Sequence, residues 1–109
     1  MAKYLIEASY SHEGLKGLVK EGGSGRKVAV EAAVKALGGR VESIYYAVGT
    51  SDVYVIVEAP DNVSAAAFAL AVGATGALAH YKTTVLLTTD EVDQAAKKAG
   101  GAGYRAPGH

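Results

Sequence analysis

The sequence predicts an α+β fold of the split βαβ, ferredoxin-like type, from the order of its elements, the alternation of its strands and a capped helix after the third strand. The order is strand, helical segment, strand, strand, helix, strand, which is the order of this fold. The most informative part runs from Arg40 to Val72 and is typical of strand, tight turn, strand and capped helix. In such a fold the helices cover one sheet face, and the other face is open or packs against a second subunit.

The first half of the chain is predicted to contain two strands and two helices. Residues 3–10 alternate as a strand, and Ser11 is the expected N-cap of a short helix that the glycines at 22–25 break. A second helix continues to about residue 37 and ends at Gly38-Gly39, because glycine adopts the left-handed conformation at little cost. The second strand is then expected over residues 40–48.

The second half repeats the pattern of strand and capped helix. A turn at residues 49–51 leads into a strand over 52–59, and Asp61 is the expected cap of a helix after Pro60. The apolar positions predicted to form the buried stripe of that helix are Val63, Ala66, Ala67, Leu70 and Ala71. A fourth strand over 77–87 precedes a last helix to about Ala99, whose start has the capping-box residues Thr88 and Glu91.

Composition and length restrict the class of protein. The 109 residues fit one domain, predicted over 1–99, with a glycine-rich tail over 100–109. The apolar residues are mostly alanine and valine, so each buries little area, and we expect a homo-oligomer in which subunits share buried surface. Acidic and basic residues balance at 11 each, which argues against a nucleic-acid partner. The absence of cysteine, of a signal peptide and of a long apolar run predicts a cytoplasmic protein without a membrane segment.

Strand alternation brings a polar group together on the face away from the helices. If the registers agree, Glu7, Tyr54, His80 and Lys82 share this face. A carboxylate, an imidazole and an ammonium could bind a polar ligand or transfer a proton. The alternative is an ordinary solvated or intersubunit face with ion pairs of small energy.

Three other features have a possible functional interpretation beside a structural one. The segment 22–27 opens a helix, where Ser24 and Arg26 could bind an anion or could simply cap and pack a helix break. Tyr45 and Tyr46 face opposite sides of a strand, so one is expected in the core and the other at a pocket or interface. The histidines match no metal-ligand spacing, so neither a metal nor a cofactor is predicted.

The chain resembles the GYD domain family of small bacterial proteins over nearly its whole length. The segments that carry the resemblance are KYLIEASY, EGLKGLVKEGGSGR, LGGRVESIYYAVG, DVYVIVEAPDNVSAAA, KTTVLLTTDEVDQA and the tail YRAPG. The name-giving Gly-Tyr-Asp region appears as Gly49-Thr50-Ser51-Asp52, with Ser51 where a tyrosine is common. The resemblance implies a subunit similar to the dimeric α/β barrels, in which two sheets face each other around a cavity. It also implies that Ser24 and Arg26 have a role in anion binding or packing and that the tail with Arg105 docks; it implies no reaction.

Two functional hypotheses follow. The first is a non-enzymatic homo-oligomer that binds a small ligand or serves in assembly, with Lys82, Tyr46, Ser24, Arg26 and Arg105 as candidate ligand-binding residues. The second is a small cofactor-independent monooxygenase or isomerase that uses His80, Glu7 and Tyr54 in a polar barrel cavity. An enclosed cavity containing all three side chains would favour the enzyme, and dispersed or solvated side chains would not.

Overall fold

The fold is a four-stranded antiparallel sheet with two helices on one face and a third helix beyond its last strand. The structure is a computed structural model that describes residues 1–109. The elements are β1 (Ala2–Tyr10), α1 (His12–Ala36), β2 (Arg40–Tyr46), β3 (Val53–Ala59), α2 (Asn62–Gly73), β4 (Leu78–Leu86) and α3 (Thr89–Gly100). The strand order β2-β3-β1-β4 confirms the predicted ferredoxin-like fold. None of the helices combines the length and the apolar character that a bilayer-spanning helix needs.

The core lies between the sheet and helices α1 and α2. Every second residue of β1 and β3 is buried there, because successive side chains of a strand point to opposite faces. The buried apolar residues are Tyr4, Ile6, Ala8, Val34, Val53, Val55, Val57, Ala59 and Phe68. Tyr4 is the largest fully buried side chain, and its hydroxyl donates to Asn62 Oδ1 at 2.6 Å, so its polar atom is satisfied. The core is small, as the alanine- and valine-rich sequence predicts.

The segment α1 consists of two helices that meet at a break within residues 22–25, as the sequence predicts, although the break is one residue long. Only Gly22 leaves the helical conformation, with φ 77° and ψ 168°, a conformation that costs glycine little. The helix resumes at once after the kink. Ser11 caps its start as predicted, since its Oγ accepts from the Gly14 N–H. At the other end Gly38 has φ 85°, as predicted for a glycine that ends a helix.

The buried stripe predicted for α2 is wrong. Val63 and Leu70 are 78% and 74% exposed, while Phe68 is 6% exposed and is the buried residue of this helix. Ala65 and Val72 pack beside Phe68. Nearly every position of α2 is apolar, so helical spacing alone fits several faces equally well. The phenyl ring, the largest side chain on this helix, determines which face is buried.

The second strand ends earlier than predicted, at Tyr46 instead of Val48. Val48 is fully exposed. The pairing continues for one further hydrogen bond, from the Ala47 N–H to the Asp52 carbonyl at 2.8 Å. The chain then leaves the sheet in the turn over 48–52, so the connection between β2 and β3 is longer than the sequence suggests.

The last helix and the tail extend away from the sheet. Both reciprocal hydrogen bonds of the predicted capping box, between Thr88 and Glu91, are present. Every residue from Leu87 to His109 is exposed, including Arg105 in the tail. The Cα radius of gyration is 17.1 Å, compared with about 13 Å for a compact chain of this length. The C-terminal segment therefore buries none of its own apolar side chains within the chain.

The cap at Asp61 leads to a prediction about acid stability. Its Oδ1 accepts from the Ser64 N–H at 2.8 Å, and this bond lowers the pKa of Asp61. The stabilisation is fully present above the unfolded-state pKa of about 3.9 and is lost as the pH falls through the lower folded-state pKa. We expect Asp61→Ala to lower the melting temperature by a few degrees at pH 7, with a smaller difference at pH 2.5. Asp61→Asn, which caps without titrating, is the control and should retain most of the stability at both pH values; an equal loss for both variants at pH 7 would contradict the capping role.

Candidate functional site

The candidate site lies on the sheet face away from the helices, which we call the open face. Strand register places Glu7 opposite Tyr54 on one side and opposite Lys82 on the other, and Ser9 opposite His80. The side chains on this face from the two central strands and β4 are Lys3, Leu5, Glu7, Ser9, Tyr54, Ile56, Glu58, His80, Lys82, Thr84 and Leu86. Four of the predicted site residues therefore share one surface.

Three of those four line a shallow polar hollow on the open face. The hollow has a volume of about 340 Å³ and is lined by Glu7, Ser9, Thr50, Ser51, His80, Tyr81 and Lys82. We call it the sheet hollow. Tyr54 lies next to Glu7 in register but does not line it. The sheet hollow thus combines one carboxylate, one ammonium, one imidazole and three hydroxyl-bearing serine and threonine side chains.

The charged groups of the sheet hollow are only loosely paired. Lys82 Nζ is 3.9 Å from Glu7 Oε2, and the Lys82 side chain is 74% exposed. A pair of this length and exposure contributes little to stability. Both groups therefore retain hydrogen-bonding capacity for a ligand.

The turn between β2 and β3 forms one wall of the sheet hollow. Ser9 Oγ donates to the Thr50 carbonyl at 2.9 Å. The Tyr10 N–H donates to Asp52 Oδ2 at 2.9 Å, and the Asp52 N–H donates to the Ala8 carbonyl at 2.9 Å. These bonds fasten the turn to the end of β1. They place Ser51 at the lining of the sheet hollow.

The rest of the open face combines ion pairs with apolar side chains. Lys3 Nζ is 2.6 Å from Glu42 and 3.2 Å from Glu58, and Arg40 Nε is 2.8 Å from Glu58. The hydrogen bonds from Lys3 and Arg40 lower the pKa of Glu58. Leu5 and Ile56 are directly paired in the middle of the face. The open face therefore has three successive parts: a charged end, an apolar middle and the polar sheet hollow.

The remaining predicted ligand-binding residues lie elsewhere. Tyr46 lies on the helix-covered side, where its hydroxyl donates to the Gly23 carbonyl at 2.9 Å, and Tyr45 pairs with Tyr54 on the open face. Ser24 and Arg26 are in α1 just after the kink, and Arg26 Nη1 is 3.5 Å from Glu21. Ser24 and Arg26 therefore lie at the start of the helix that follows the break at Gly22, as the sequence predicts.

This arrangement does not favour the enzyme hypothesis in a single chain. Glu7 and His80 line the same hollow, but the hollow is open to solvent, His80 is exposed, and Tyr54 is outside it. An acid–base mechanism needs groups held near the reacting atoms in a site that limits water. Sequence reasoning did not find Thr50 and Ser51, because only their fastening to β1 brings them to this surface.

Comparison with known families shows which family contains this chain. The family model described as GYD domain matches residues 4–96. The chain belongs to the GYD domain family. The match includes the sheet, helices α1 and α2 and most of α3, so the resemblance predicted from the sequence segments is confirmed. No curated protein matches this GYD protein.

Three solved structures are similar to this GYD protein, and the two with TM-scores above 0.5 support its fold. The crystal structure of FFRP-DM1 has 17% identity and a TM-score of 0.52, and the match covers 80% of this chain and 100% of that one. A 5-chloro-2-hydroxyhydroquinone dehydrochlorinase from Burkholderia phenoliruptrix AC1100, in complex with 2,5-dihydroxybenzoquinone, has 13% identity and a TM-score of 0.57 over 81% of this chain and 96% of its own. An uncharacterised NIPSNAP domain protein from Burkholderia xenovorans has 16% identity and a TM-score of 0.47, over 82% and 95%. At these identities the likeness concerns the fold alone.

Proposed function

We propose that this GYD protein is a non-enzymatic homo-oligomer in which a second copy covers the open face, and that the closed sheet hollow binds a small polar molecule. The observation that carries the proposal is the surface that a single chain leaves exposed. Its accessible surface is 7358 Å², whereas a compact monomer of 11.1 kDa exposes about 5,700 Å². The excess of about 1,700 Å² includes the surface of the extended α3 and tail, in which every residue is exposed, so the chain as a whole exposes more surface than the roughly 800 Å² per partner that a stable interface needs.

The composition of the open face suits a second copy of the same surface. Acidic and basic side chains lie on it in similar numbers, with Lys3 and Arg40 at the charged end and Glu7 in the sheet hollow. Leu5 and Ile56 form its apolar middle. A two-fold interface is self-complementary, and a face with both signs of charge around apolar side chains can meet itself without like-charge contacts. For a strongly basic or acidic partner, we would instead expect a surface whose charged side chains all have the opposite sign of charge.

Closure by a second sheet would change the properties of the sheet hollow. An open polar hollow exchanges its ligands with water, whereas a covered one strengthens each hydrogen bond through a lower local dielectric. Glu7, His80 and Lys82 would then recognise a ligand that carries both donors and acceptors. The exposed α3 and the tail with Arg105 give the assembly a second surface that other copies can bury.

Substitution of Ile56 by lysine is expected to dissociate the oligomer. Two-fold symmetry places the new charge twice at the interface, and buried unpaired charge is costly. We expect wild-type protein to sediment as a dimer or larger species at micromolar concentration, and Ile56→Lys to raise the dissociation constant by about a hundredfold or more. Sedimentation velocity over a concentration series measures both.

Leu70→Lys is the matched control, because it adds the same charge at an exposed position on the opposite side of the molecule. It should leave the sedimentation coefficient unchanged. A monomeric wild-type protein would refute the proposal. Dissociation by Leu70→Lys but not by Ile56→Lys would show that the interface lies on the helices and not on the open face.

A further inference from the structure

A second cavity lies on the opposite side of the sheet, between the strands and helices α1 and α2. It has a volume of about 250 Å³, and 14 of its 16 lining residues are hydrophobic. Side chains from the sheet and from both helices line it, among them Ile6, Val55, Ala33, Phe68 and Val72. We call it the helix-side cavity. It shares only Tyr81 with the sheet hollow, so what it binds does not depend on the proposed function.

The helix-side cavity is partly open to solvent, and its volume suits a small organic molecule. An engineered apolar cavity of about 150 Å³ stays dry and binds benzene. Native cores rarely contain voids larger than a water molecule. A cavity of 250 Å³ has room for a ring with one substituent, or for a short branched chain, of roughly eight to twelve non-hydrogen atoms.

One polar group in the lining of the helix-side cavity lacks the partner that buried groups normally have. The Tyr81 hydroxyl is buried without a hydrogen-bond partner, and such groups are rare in native proteins. Burial raises the pKa of Tyr81, and the neighbouring Thr83 offsets this only in part. Its hydroxyl is therefore a protonated donor at neutral pH, and a ligand oxygen would satisfy it.

Arg26 supplies the only charge in the lining. Its one carboxylate partner, Glu21, is 3.5 Å away and half-exposed, and the Arg26 side chain is 32% exposed. The guanidinium also lies near the hydroxyls of Tyr10 and Tyr46, where its positive charge opposes the increase in pKa that burial causes in both tyrosines. A guanidinium at the edge of an apolar cavity, weakly held by its own carboxylate, fits a carboxylate ligand in bidentate geometry.

We propose that the helix-side cavity binds a small apolar monocarboxylate, with its hydrocarbon body in the cavity and its carboxylate at Arg26. The apolar lining provides the binding energy by removing the ligand's hydrocarbon surface from water. Arg26 provides the selectivity, because a neutral molecule of the same shape cannot form the charge-assisted hydrogen bonds. The break at Gly22 lies four residues before Arg26, so Arg26 is near the start of the helix that lines the cavity.

Calorimetric titration of the full chain with benzoate and with neutral benzyl alcohol tests this proposal. Benzoate should bind with a dissociation constant below about 1 mM. Arg26→Met should weaken benzoate binding at least tenfold and change benzyl alcohol binding less than threefold, since the charge acts on the carboxylate alone. Arg26→Lys should restore part of the loss. Lys27→Met, which removes a charge from the adjacent position outside the lining, should leave both affinities unchanged.

Two further measurements complete the test. The first uses the wild-type chain, so it does not depend on whether a variant folds. Amide resonances of Ala33 and Val72 in the wild-type chain should shift on benzoate addition, while those of Thr50 and Ser51, which line only the sheet hollow, should not. Ala33→Leu, which fills part of the cavity, should weaken both probes. The proposal is overturned if benzoate does not bind, if Arg26→Met weakens both probes equally, or if the shifts map to the sheet hollow. Shifts that map to the sheet hollow would overturn this inference but not the proposed function. A monomeric wild-type protein would refute the proposed function but not this inference.

Discussion

Phe68→Ala is expected to lower the free energy of unfolding by about 3 to 5 kcal/mol. Phe68 is 6% exposed and is the one buried residue of α2. Its ring packs against the sheet and also lines the helix-side cavity. Truncation removes the ring's transfer energy and merges its volume with a space that is already open, so the surroundings cannot collapse to refill it. Because only ten residues of the chain are buried, this loss is a large fraction of the stability of an ordinary small domain.

Leu70→Ala is the matched control on the same helix. Leu70 is 74% exposed, so its truncation should change the free energy of unfolding by less than about 0.5 kcal/mol. Guanidinium unfolding at one fixed protein concentration measures both variants, since oligomerisation makes apparent stability depend on concentration. A larger loss for Leu70→Ala than for Phe68→Ala would show that the face predicted from the sequence is buried in solution.

Gly14→Ala is expected to lower the free energy of unfolding by about 2 to 3 kcal/mol. Gly14 is buried in the first turn of α1. A Cβ at this position would overlap the carbonyl oxygen of Ala77 and would also meet the Tyr10 ring at 3.0 Å. Backbone cannot yield as a flexible side chain does, so the helix start would have to move. That movement would strain the two hydrogen bonds that join the start of α1 to the segment before β4. In these bonds the Ser11 N–H donates to the Ala77 carbonyl at 2.8 Å and the Ser11 hydroxyl donates to the Gly76 carbonyl at 2.7 Å.

Gly17→Ala, three residues further along the same helix, should have the opposite sign. A Cβ there meets nothing within 4 Å, and alanine is favoured over glycine inside a helix by about 0.5 to 1 kcal/mol. Thermal unfolding of the two variants side by side would check the difference. If both substitutions stabilise the protein, the close contact between α1 and the start of β4 is absent in solution.

The open face and the helix-side cavity assign different roles to the two sides of one sheet. The open face is polar, loosely paired and suited to a second copy of the chain. The helix-side cavity is apolar and has one guanidinium at its edge. A protein with both surfaces would couple assembly to ligand binding through β1, β3 and β4, because each of these strands contributes side chains to both. The experiments on Ile56 and Arg26 address the two sides separately.

The sequence by itself determined the strands, the helix caps and the residues that share the open face. Alternation is a consequence of strand geometry, so the positions of Glu7, His80 and Lys82 could be predicted from spacing alone. Ser11, Asp61 and Thr88 cap helices through bonds to the backbone within three residues, and such local interactions are visible in a sequence. The family resemblance rested on the same segments.

Only the tertiary structure decided which face of α2 is buried and where the cavities lie. Helix α2 is apolar on all sides, so its orientation follows from the volume of Phe68 against the sheet and not from periodicity. Thr50 and Ser51 reach the sheet hollow because distant hydrogen bonds fold their turn onto β1. The helix-side cavity lies where small side chains of the sheet and of the helices α1 and α2 leave space between the two layers. Voids and long-range contacts depend on the packing of residues far apart in the chain, and no local pattern encodes them.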